Sequence, residues 1–237
     1  LEGEDVGIEV KIFPNAQVVG SDRDSIEAVT LGEIDMTSVA ELQFAPNIKE
    51  FYVFNADYLF DDLKDAKAKL DGEQGDLLKK AADDKNMGVK VAGFFGSSGR
   101  IFWNNVREVN TLADFQGIKS RAPENPINIA ELEALGCIPT PMAWNELYTG
   151  LQQGTVDGLV SSKMPIIQQG LIDVLKYATD TNHSYSINVI LISSAKYNSF
   201  SEEQRAAYDK AIAGAAEEEW KIAMKEEEDS VQKIKEL

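Results

Sequence analysis

The chain has 237 residues, enough to bury a hydrophobic core in one or two domains. It carries 40 acidic residues against 23 Lys and Arg, and the resulting net charge of -17 argues against nucleic acid or an anionic membrane as partner. No apolar run reaches the roughly 18 residues that a membrane helix needs. Its single cysteine, Cys137, excludes an internal disulfide, and we expect a small buried apolar residue there.

The first part of the chain alternates short strands with helices. Alternating apolar residues predict a strand over 7–13. Ser21 is a suitable N-cap for a helix over 22–31, which Gly32 ends. The elements expected next are a strand over 34–39, a helical region over 63–85 that breaks near Gly72, and a strand over 89–95 that leads into Gly96-Ser97-Ser98-Gly99.

The rest of the chain continues this alternation and ends in one long helix. A capped turn or short helix is predicted over 111–117. The later elements are strands over 118–122, 156–160 and 186–193, helices over 126–135, 143–153 and 165–171, a further segment over 174–179, and a charged helix over 201–236. Strands alternating with helices predict an α/β fold, and composition reveals no linker between domains.

The familiar catalytic motifs and metal-binding spacings are absent from the sequence. The Gly96-Ser97-Ser98-Gly99 segment follows a strand, as a phosphate-binding turn would, but lacks the lysine and the helix that should follow. The one histidine, His183, excludes a multi-histidine metal site and has no partner at a telling spacing. We therefore predict no catalytic residue, no metal and no cofactor, and we assign His183 a supporting hydrogen-bonding role.

Two arginines are the candidates for binding a ligand. Arg121 ends a predicted strand, and ligands of open α/β sheets bind at the carboxyl ends of strands. The alternative is a surface arginine paired with one of the 40 carboxylates. Arg100 follows Gly99 and precedes an apolar strand, and its alternative is a solvated charge.

One long segment resembles a known family. The residues over 114–158 read DFQGIKSRAPENPINIAELEALGCIPTPMAWNELYTGLQQGTVDG. This run is similar to the core of the DctP family, the solute-binding proteins of tripartite ATP-independent periplasmic (TRAP) transporters. Weaker matches on both sides extend the resemblance over nearly the whole chain: GEIDMTSVAE, GSSGRIFWNN, TNHSYSINVILIS and FSEEQRAAYDKA.

The resemblance implies an α/β fold of the two-lobed periplasmic binding protein type. Open sheets with helices on both faces would flank a cleft, and a long C-terminal helix would span the lobes. We expect lobe I over 1–91 with 194–237, incomplete at both ends, and lobe II over 92–193. The implied protein is a monomeric, non-enzymatic partner of a TRAP permease. It would be periplasmic, or a lipid-anchored extracellular protein in a cell without an outer membrane.

The resemblance also implies roles for individual residues. Arg121 is the main carboxylate clamp, because its planar fork donates two parallel hydrogen bonds, and Arg100 is the second cation. Two arginines in one cleft would repel each other until an anion draws the lobes together. The remaining expected ligand contacts or supports are Trp144, Glu41, Glu124, Asn125 and His183.

Two of these residues also have a purely structural alternative. Trp144 is alternatively a core residue, and Glu41 is alternatively an exposed carboxylate.

The chain departs from the family pattern in two places. Where the family has a long amide and a carboxylate after Val-Asp-Gly, this chain has Ser161 and Ser162. These serines contact the ligand, or, in the alternative for Ser161, the side chain caps a helix. The resemblance also implies that residues precede Leu1 and follow Leu237, as in a mature or trimmed chain.

The predicted ligand is a small organic acid, and a sugar acid such as a uronate suits the hydroxyl-binding residues best. A C4-dicarboxylate is the alternative, with Arg100 taking the second carboxylate. The alternative from another class is an α/β enzyme that acts on a carboxylate, with His183 as base and Arg121 as anchor.

Overall fold

The protein has a mixed α/β fold, as predicted. The computed structural model describes residues 6–14 and 17–236. The helices are α1 (Asp22–Leu31), α2 (Glu41–Phe44), α3 (Leu63–Leu70), α4 (Glu73–Lys85), α5 (Pro126–Ala134), α6 (Leu147–Gln152), α7 (Lys163–Gln168), α8 (Ser194–Ser199) and α9 (Glu202–Glu236). The strands are β1 (Met36–Ala40), β2 (Val89–Asn104), β3 (Lys119–Ala122), β4 (Ile138–Pro141), β5 (Gly158–Ser162) and β6 (Tyr177–Ser193). Short 3-10 helices cover Lys49–Asn55, Leu112–Phe115, Trp144–Glu146 and Leu171–Val174.

The chain divides into two compact units, each built from three segments. The first unit contains Leu1–Phe51, Lys64–Gly96 and Ile187–Ile222, and the second contains Tyr52–Leu63, Ser97–Ser186 and Ala223–Leu237. The long strands β2 and β6 therefore contribute residues to both units. They change unit at 96/97 and 186/187, whereas the sequence placed the lobe boundaries at 91/92 and 193/194. Those lobe boundaries stay a prediction.

The strands of the second unit run in the order β6-β2-β5-β3-β4. β3 is parallel to both β4 and β5, with Arg121 opposite Thr140 and Leu159. β2 is antiparallel to β5, with Arg100 opposite Ser162. The carboxyl ends of β3, β4 and β5 consequently lie at the same edge of this sheet.

Each face of that sheet is covered by its own apolar cluster. One cluster contains Ile101, Trp103, Leu147, Leu151, Val156, Leu159, Ile166, Leu171 and Leu175. The other contains Phe102, Val109, Phe115, Ile118, Ala122, Leu132 and Cys137. Cys137 is thus the buried apolar residue that was predicted, and burial raises the pKa of its thiol to about 11, so the thiol stays protonated at neutral pH.

In the first unit β1 pairs antiparallel with β6, from Met36 opposite Ile192 to Ala40 opposite Asn188. Its core includes Phe44 and Phe51, whose rings pack edge to face at a centroid distance of 4.9 Å. Trp220 on α9 is also fully buried there, and its Nε1 donates a hydrogen bond of 3.1 Å to the carbonyl of Phe94.

Capping chemistry explains why several predicted helices and turns are found at the expected places. Helix α1 begins after Ser21, whose Oγ accepts a hydrogen bond from the amide of Asp24, and it ends at Gly32, which has a φ of 77°. The capped turn over 111–117 is a short 3-10 helix in which Thr111 and Asp114 form a reciprocal capping box.

The predicted strand over 7–13 is wrong. Residues 8–13 are irregular, and Val10, Ile12 and Phe13 are between 60% and 82% exposed. Alternating apolar residues indicate which face a strand would bury, but a strand forms only where a neighbour accepts its backbone hydrogen bonds. No strand of the described ranges 6–14 and 17–236 pairs with this segment.

The predicted end of the strand at residue 95 is also wrong, because β2 continues through 96–99 to Asn104. Gly96 and Gly99 instead allow side chains from other elements to pack closely against the backbone of β2. A Cβ on Gly96 would lie 2.2 Å from Cζ3 of the Trp220 ring, and a Cβ on Gly99 would lie 1.8 Å from Oδ1 of Asn182. Glycine inside a strand often marks such a close approach.

Candidate functional site

Arg121 is held in a fixed position at the carboxyl end of β3. The residue is 6% exposed. Its Nε donates a hydrogen bond of 2.9 Å to the carbonyl of Met142, just after β4. Its guanidinium carbon lies 5.6 Å from the centroid of the Trp144 ring, a cation–π distance. These contacts orient a planar cation of the kind that binds carboxylates through two parallel hydrogen bonds.

Trp144 combines packing against the core with a position beside Arg121. The side chain is partly buried and packs against the apolar cluster that contains Trp103 and Leu159. Its Nε1 donates to Oε1 of Gln169 at 3.1 Å, and Arg121 lies over its ring. Contact of this ring with a ligand stays a prediction.

Arg100 is equally buried but extends from the opposite face of the sheet. Arg121 is opposite Leu159, which is opposite Trp103, so these three side chains share one face. Arg100 is three residues before Trp103 and therefore points to the other face, together with Ser162. The register gives no support to the expected direct repulsion between the two guanidinium groups.

The Nε of Arg100 donates a hydrogen bond of 2.9 Å to Oγ of Ser186 on β6. This contact orients the guanidinium from outside its own strand. The alternative of a solvated charge is wrong, because the residue is 6% exposed.

The two serines after Gly158 are both buried at the end of β5. The carbonyl of Ser161 accepts a hydrogen bond of 3.1 Å from Nε1 of Trp103. The alternative in which Ser161 caps the following helix is wrong, because Ser162 is the N-cap residue of α7 and makes no side-chain cap bond. Instead, Oγ of Ser98 accepts a hydrogen bond from the first helical amide, that of Lys163.

Asn125 shapes the loop that follows β3. It is fully buried, and its Oδ1 accepts hydrogen bonds from the amides of Ile127 at 2.9 Å and Asn128 at 3.5 Å, which caps α5. Its Nδ2 donates to Oδ1 of Asn55 at 3.5 Å. Glu124, one residue earlier, is exposed.

We expect the Asn125→Ala variant to lose about 1–2 kcal/mol of folding stability, because the first turn of α5 loses its cap and Asn55 loses a partner. Asn125→Asp is the matched control, since aspartate keeps the acceptor oxygen and should be less damaging. Urea denaturation of the three proteins checks this. Equal stability of the alanine variant and the parent would contradict a capping role.

His183 belongs to a cluster that the sequence did not predict. Its Nδ1 lies 2.8 Å from Oγ1 of Thr181, and its Nε2 lies 3.7 Å from Oε1 of Glu131 on α5. One donor atom each from His183, Glu131 and the exposed Asp57 lie within 4.8 Å of one another. No sequence feature distinguishes the two carboxylates from the other 38 in the chain, because their proximity arises only from folding.

The electrostatics of the cluster are dominated by burial. Burial lowers the pKa of His183 below its usual value; the Asp57 charge opposes this shift, and Arg100 adds to it. Burial also raises the pKa of Glu131, and the Asp57 charge raises it further, while the Asn128 hydrogen bond and Arg100 act in the opposite direction. Arg100 is therefore electrostatically linked to the cluster.

Glu41 belongs to the first unit, whereas the other predicted site residues belong to the second. It begins α2 and is fully buried, so the alternative of an exposed carboxylate is wrong. Its Oε2 accepts a hydrogen bond of 3.3 Å from the amide of Ile187. A contact between Glu41 and a ligand stays a prediction.

Comparison with known proteins places this arrangement in one family. The family model "DctP: Bacterial extracellular solute-binding protein, family 7" matches residues 4–237. The C4-dicarboxylate-binding periplasmic protein DctP of Rhodobacter capsulatus is 29% identical over 236 residues, which cover 96% of this chain and 68% of that protein. The chain spans 61% and 62% of the length of two further curated relatives.

Solved structures agree with the sequence comparison. The sugar acid binding protein DctPAm of Advenella mimigardefordensis, in complex with galactonate, matches with a TM-score of 0.88 and 29% identity, over 92% of this chain and 70% of that one. A TRAP periplasmic solute-binding protein of Xanthobacter autotrophicus with bound β-D-galacturonate matches with a TM-score of 0.89 and 28% identity, over 97% of this chain and 76% of that one. Among the described residues, no helix is both long and apolar enough to cross a membrane.

Proposed function

Because the chain belongs to the DctP family of bacterial extracellular solute-binding proteins, we propose that it captures a small organic acid and delivers it to a TRAP-type permease driven by an ion gradient. The observation that carries this proposal is the buried, oriented guanidinium of Arg121 at the carboxyl end of β3. A fixed planar cation is suited to a carboxylate, and its position matches the ligand-binding edge of an open α/β sheet.

We favour a sugar acid such as a uronate as the ligand. Two similar proteins of known structure hold galactonate and β-D-galacturonate. In this chain Arg121 is the cation proposed for the single carboxylate of such a ligand. The buried side chains of Ser161, Ser162 and Asn125 belong to the same unit, and the serines replace the longer residues of the family pattern. Shorter side chains leave room for a bulkier, hydroxyl-bearing ligand or for bridging water.

A C4-dicarboxylate is the second candidate, since the similar Rhodobacter protein binds that class. Arg100 would then hold the second carboxylate, but it points to the other face of the sheet from Arg121, which favours the sugar acid. The matched family consists of solute-binding proteins, so the enzyme hypothesis is set aside. We further propose that the protein acts as a monomer, in the periplasm or anchored by a lipid on the outer surface.

A thermal-shift screen tests the ligand class. The panel contains D-galacturonate, D-glucuronate, D-galactonate, succinate, fumarate and, as uncharged controls, D-galactose and D-glucose. A ligand that binds only the folded state raises its stability by RT ln(1 + [L]/Kd), which is about 2.7 kcal/mol at 100 times Kd. We expect a sugar acid to give the largest rise in melting temperature and the uncharged sugars to give none.

Each other outcome of the screen has a definite meaning. A rise with succinate or fumarate alone would replace the sugar acid by the dicarboxylate. Equal rises with galactose and galacturonate would contradict the carboxylate clamp itself. The screen begins with protein that has been unfolded, dialysed and refolded, so that no carried-over metabolite occupies the site.

A further inference from the structure

The cluster of Asp57, Glu131 and His183 has the composition and the spacing of a metal-ligand set. It offers one imidazole nitrogen and two carboxylate oxygens, all within 4.8 Å of one another. Two ligands of a tetrahedral zinc ion at about 2.0–2.2 Å are themselves roughly 3.3–3.6 Å apart. The distance between Nε2 of His183 and Oε1 of Glu131 is 3.7 Å, so this pair needs only a small adjustment.

The histidine presents the correct nitrogen for such a role. When Nδ1 of His183 donates to Oγ1 of Thr181, 2.8 Å away, Nε2 carries the lone pair and faces the carboxylate of Glu131. A metal-binding histidine is usually oriented through its other nitrogen in this way.

The third side chain is brought to the cluster by a backbone contact. The amide of Tyr58 donates a hydrogen bond of 2.6 Å to the carbonyl of His183. Tyr58 has a φ of 59°, a left-handed conformation that side-chain-bearing residues adopt infrequently. This contact places Asp57 next to the ring, and because Asp57 is exposed, its carboxylate has room to rotate toward a shared ion.

The charges of the cluster favour a divalent cation over an empty site. The carboxylates of Asp57 and Glu131 each place an oxygen within 4.8 Å of the other, so their negative charges repel each other. Arg100 offsets part of this negative charge. A cation bound between the carboxylates would remove their mutual repulsion.

We propose that Asp57, Glu131 and His183 form a binding site for a divalent transition-metal ion, with zinc as the best match. One imidazole and two carboxylates suit zinc better than magnesium or calcium, which prefer oxygen ligands alone. Three protein ligands leave a fourth position for water or for an oxygen of another molecule. This proposal departs from the sequence-based prediction of no metal: a single histidine excludes a site made of several histidines, but this site needs only one.

The single histidine of the chain makes a direct test possible. Its imidazole gives one set of NMR signals, and the two ring nitrogens have different ¹⁵N shifts. Zinc chloride titrated into chelator-treated full chain should shift the Nε2 signal and leave Nδ1 protonated. A calorimetric titration of the same protein gives the affinity. Unchanged imidazole signals at saturating zinc would overturn the proposal.

Matched variants separate this site from general binding of zinc to an acidic surface. We expect His183→Asn, Glu131→Gln and Asp57→Asn each to weaken zinc binding at least about tenfold. Removing a residue that only supports a metal ligand through a hydrogen bond already lowers metal affinity about tenfold or more, so removing a ligand should lower it at least as much. Glu133→Gln is the control, because Glu133 is exposed on the same helix, α5, and outside the cluster. It removes the same charge as Glu131→Gln.

Equal losses in Glu131→Gln and Glu133→Gln would also overturn the proposal, since they would indicate non-specific binding. Circular dichroism of each metal-free variant shows whether it has folded. If Glu131→Gln does not fold, the exposed Asp57→Asn still gives the answer. The metal test uses no organic acid, so its outcome is independent of the ligand screen.

Discussion

Replacing Arg121 with lysine should weaken binding of the organic acid about 30-fold or more, equivalent to about 2 kcal/mol. The planar fork is lost, and so is the Nε that donates to the carbonyl of Met142. A lysine ammonium has no plane to stack on the Trp144 ring, so it would be less firmly oriented than the guanidinium. Titration calorimetry with the sugar acid that gives the largest thermal shift measures the loss.

The matched control is Arg107→Lys. Arg107 lies in the same unit and is exposed, and its guanidinium donates a hydrogen bond of 2.9 Å to the backbone carbonyl of Gln116. The same chemical change there should leave the affinity within about twofold of the parent, since exposed charges far from a site contribute little. Parent-like affinity of Arg121→Lys would remove Arg121 from the binding site and with it the main support for the proposed function.

The Gly96→Ala variant should lose about 2–3 kcal/mol of folding stability, the upper part of the range for overpacking a core. The added methyl group would lie 2.2 Å from the ring of Trp220, which is 1% exposed and anchored by its hydrogen bond to Phe94. Neither the ring nor the strand can move without disturbing the core of the first unit. Chemical denaturation followed by tryptophan fluorescence measures the change.

Gly99→Ala gives the comparison within the same strand. Its methyl group would meet the side chain of Asn182, which is exposed and can rotate away. Alanine also reduces the entropy of the unfolded chain. We therefore expect a change within about 1 kcal/mol. A larger loss at position 99 than at position 96 would show that the Trp220 contact does not determine the need for glycine.

Local chemistry explains which parts of the fold the sequence could predict. The capping residues Ser21 and Thr111 act on neighbours within a few positions, so the elements they begin were predicted correctly. β4 was missed because it contains two prolines, which usually argue against a strand. It lies at the end of the sheet order and pairs on one side only, with β3, and an edge strand tolerates proline.

The errors at 7–13 and 96–99 both arise from contacts with distant parts of the chain, which local sequence does not reveal. Whether an apolar alternation becomes a strand, and whether a glycine makes a turn or admits a large ring, depends on residues distant in the chain. Trp220 is 124 positions from Gly96, and no local pattern connects them. The same holds for the candidate site. A strand end identified Arg121, whereas Glu131 and Asp57 reach His183 only through tertiary packing.

The segments of the two units alternate along the chain, and this limits how the chain can be divided into fragments. Each unit takes one segment from the early, the middle and the late part of the chain. No single cut therefore separates the two units from each other. During synthesis, residues 97–186 emerge before 187–222, yet the second unit also needs 223–237. The first unit takes its last segment from 187–222 and the second from 223–237, so each unit includes residues of α9 that are synthesised late, and this arrangement disfavours folding of one unit well before the other.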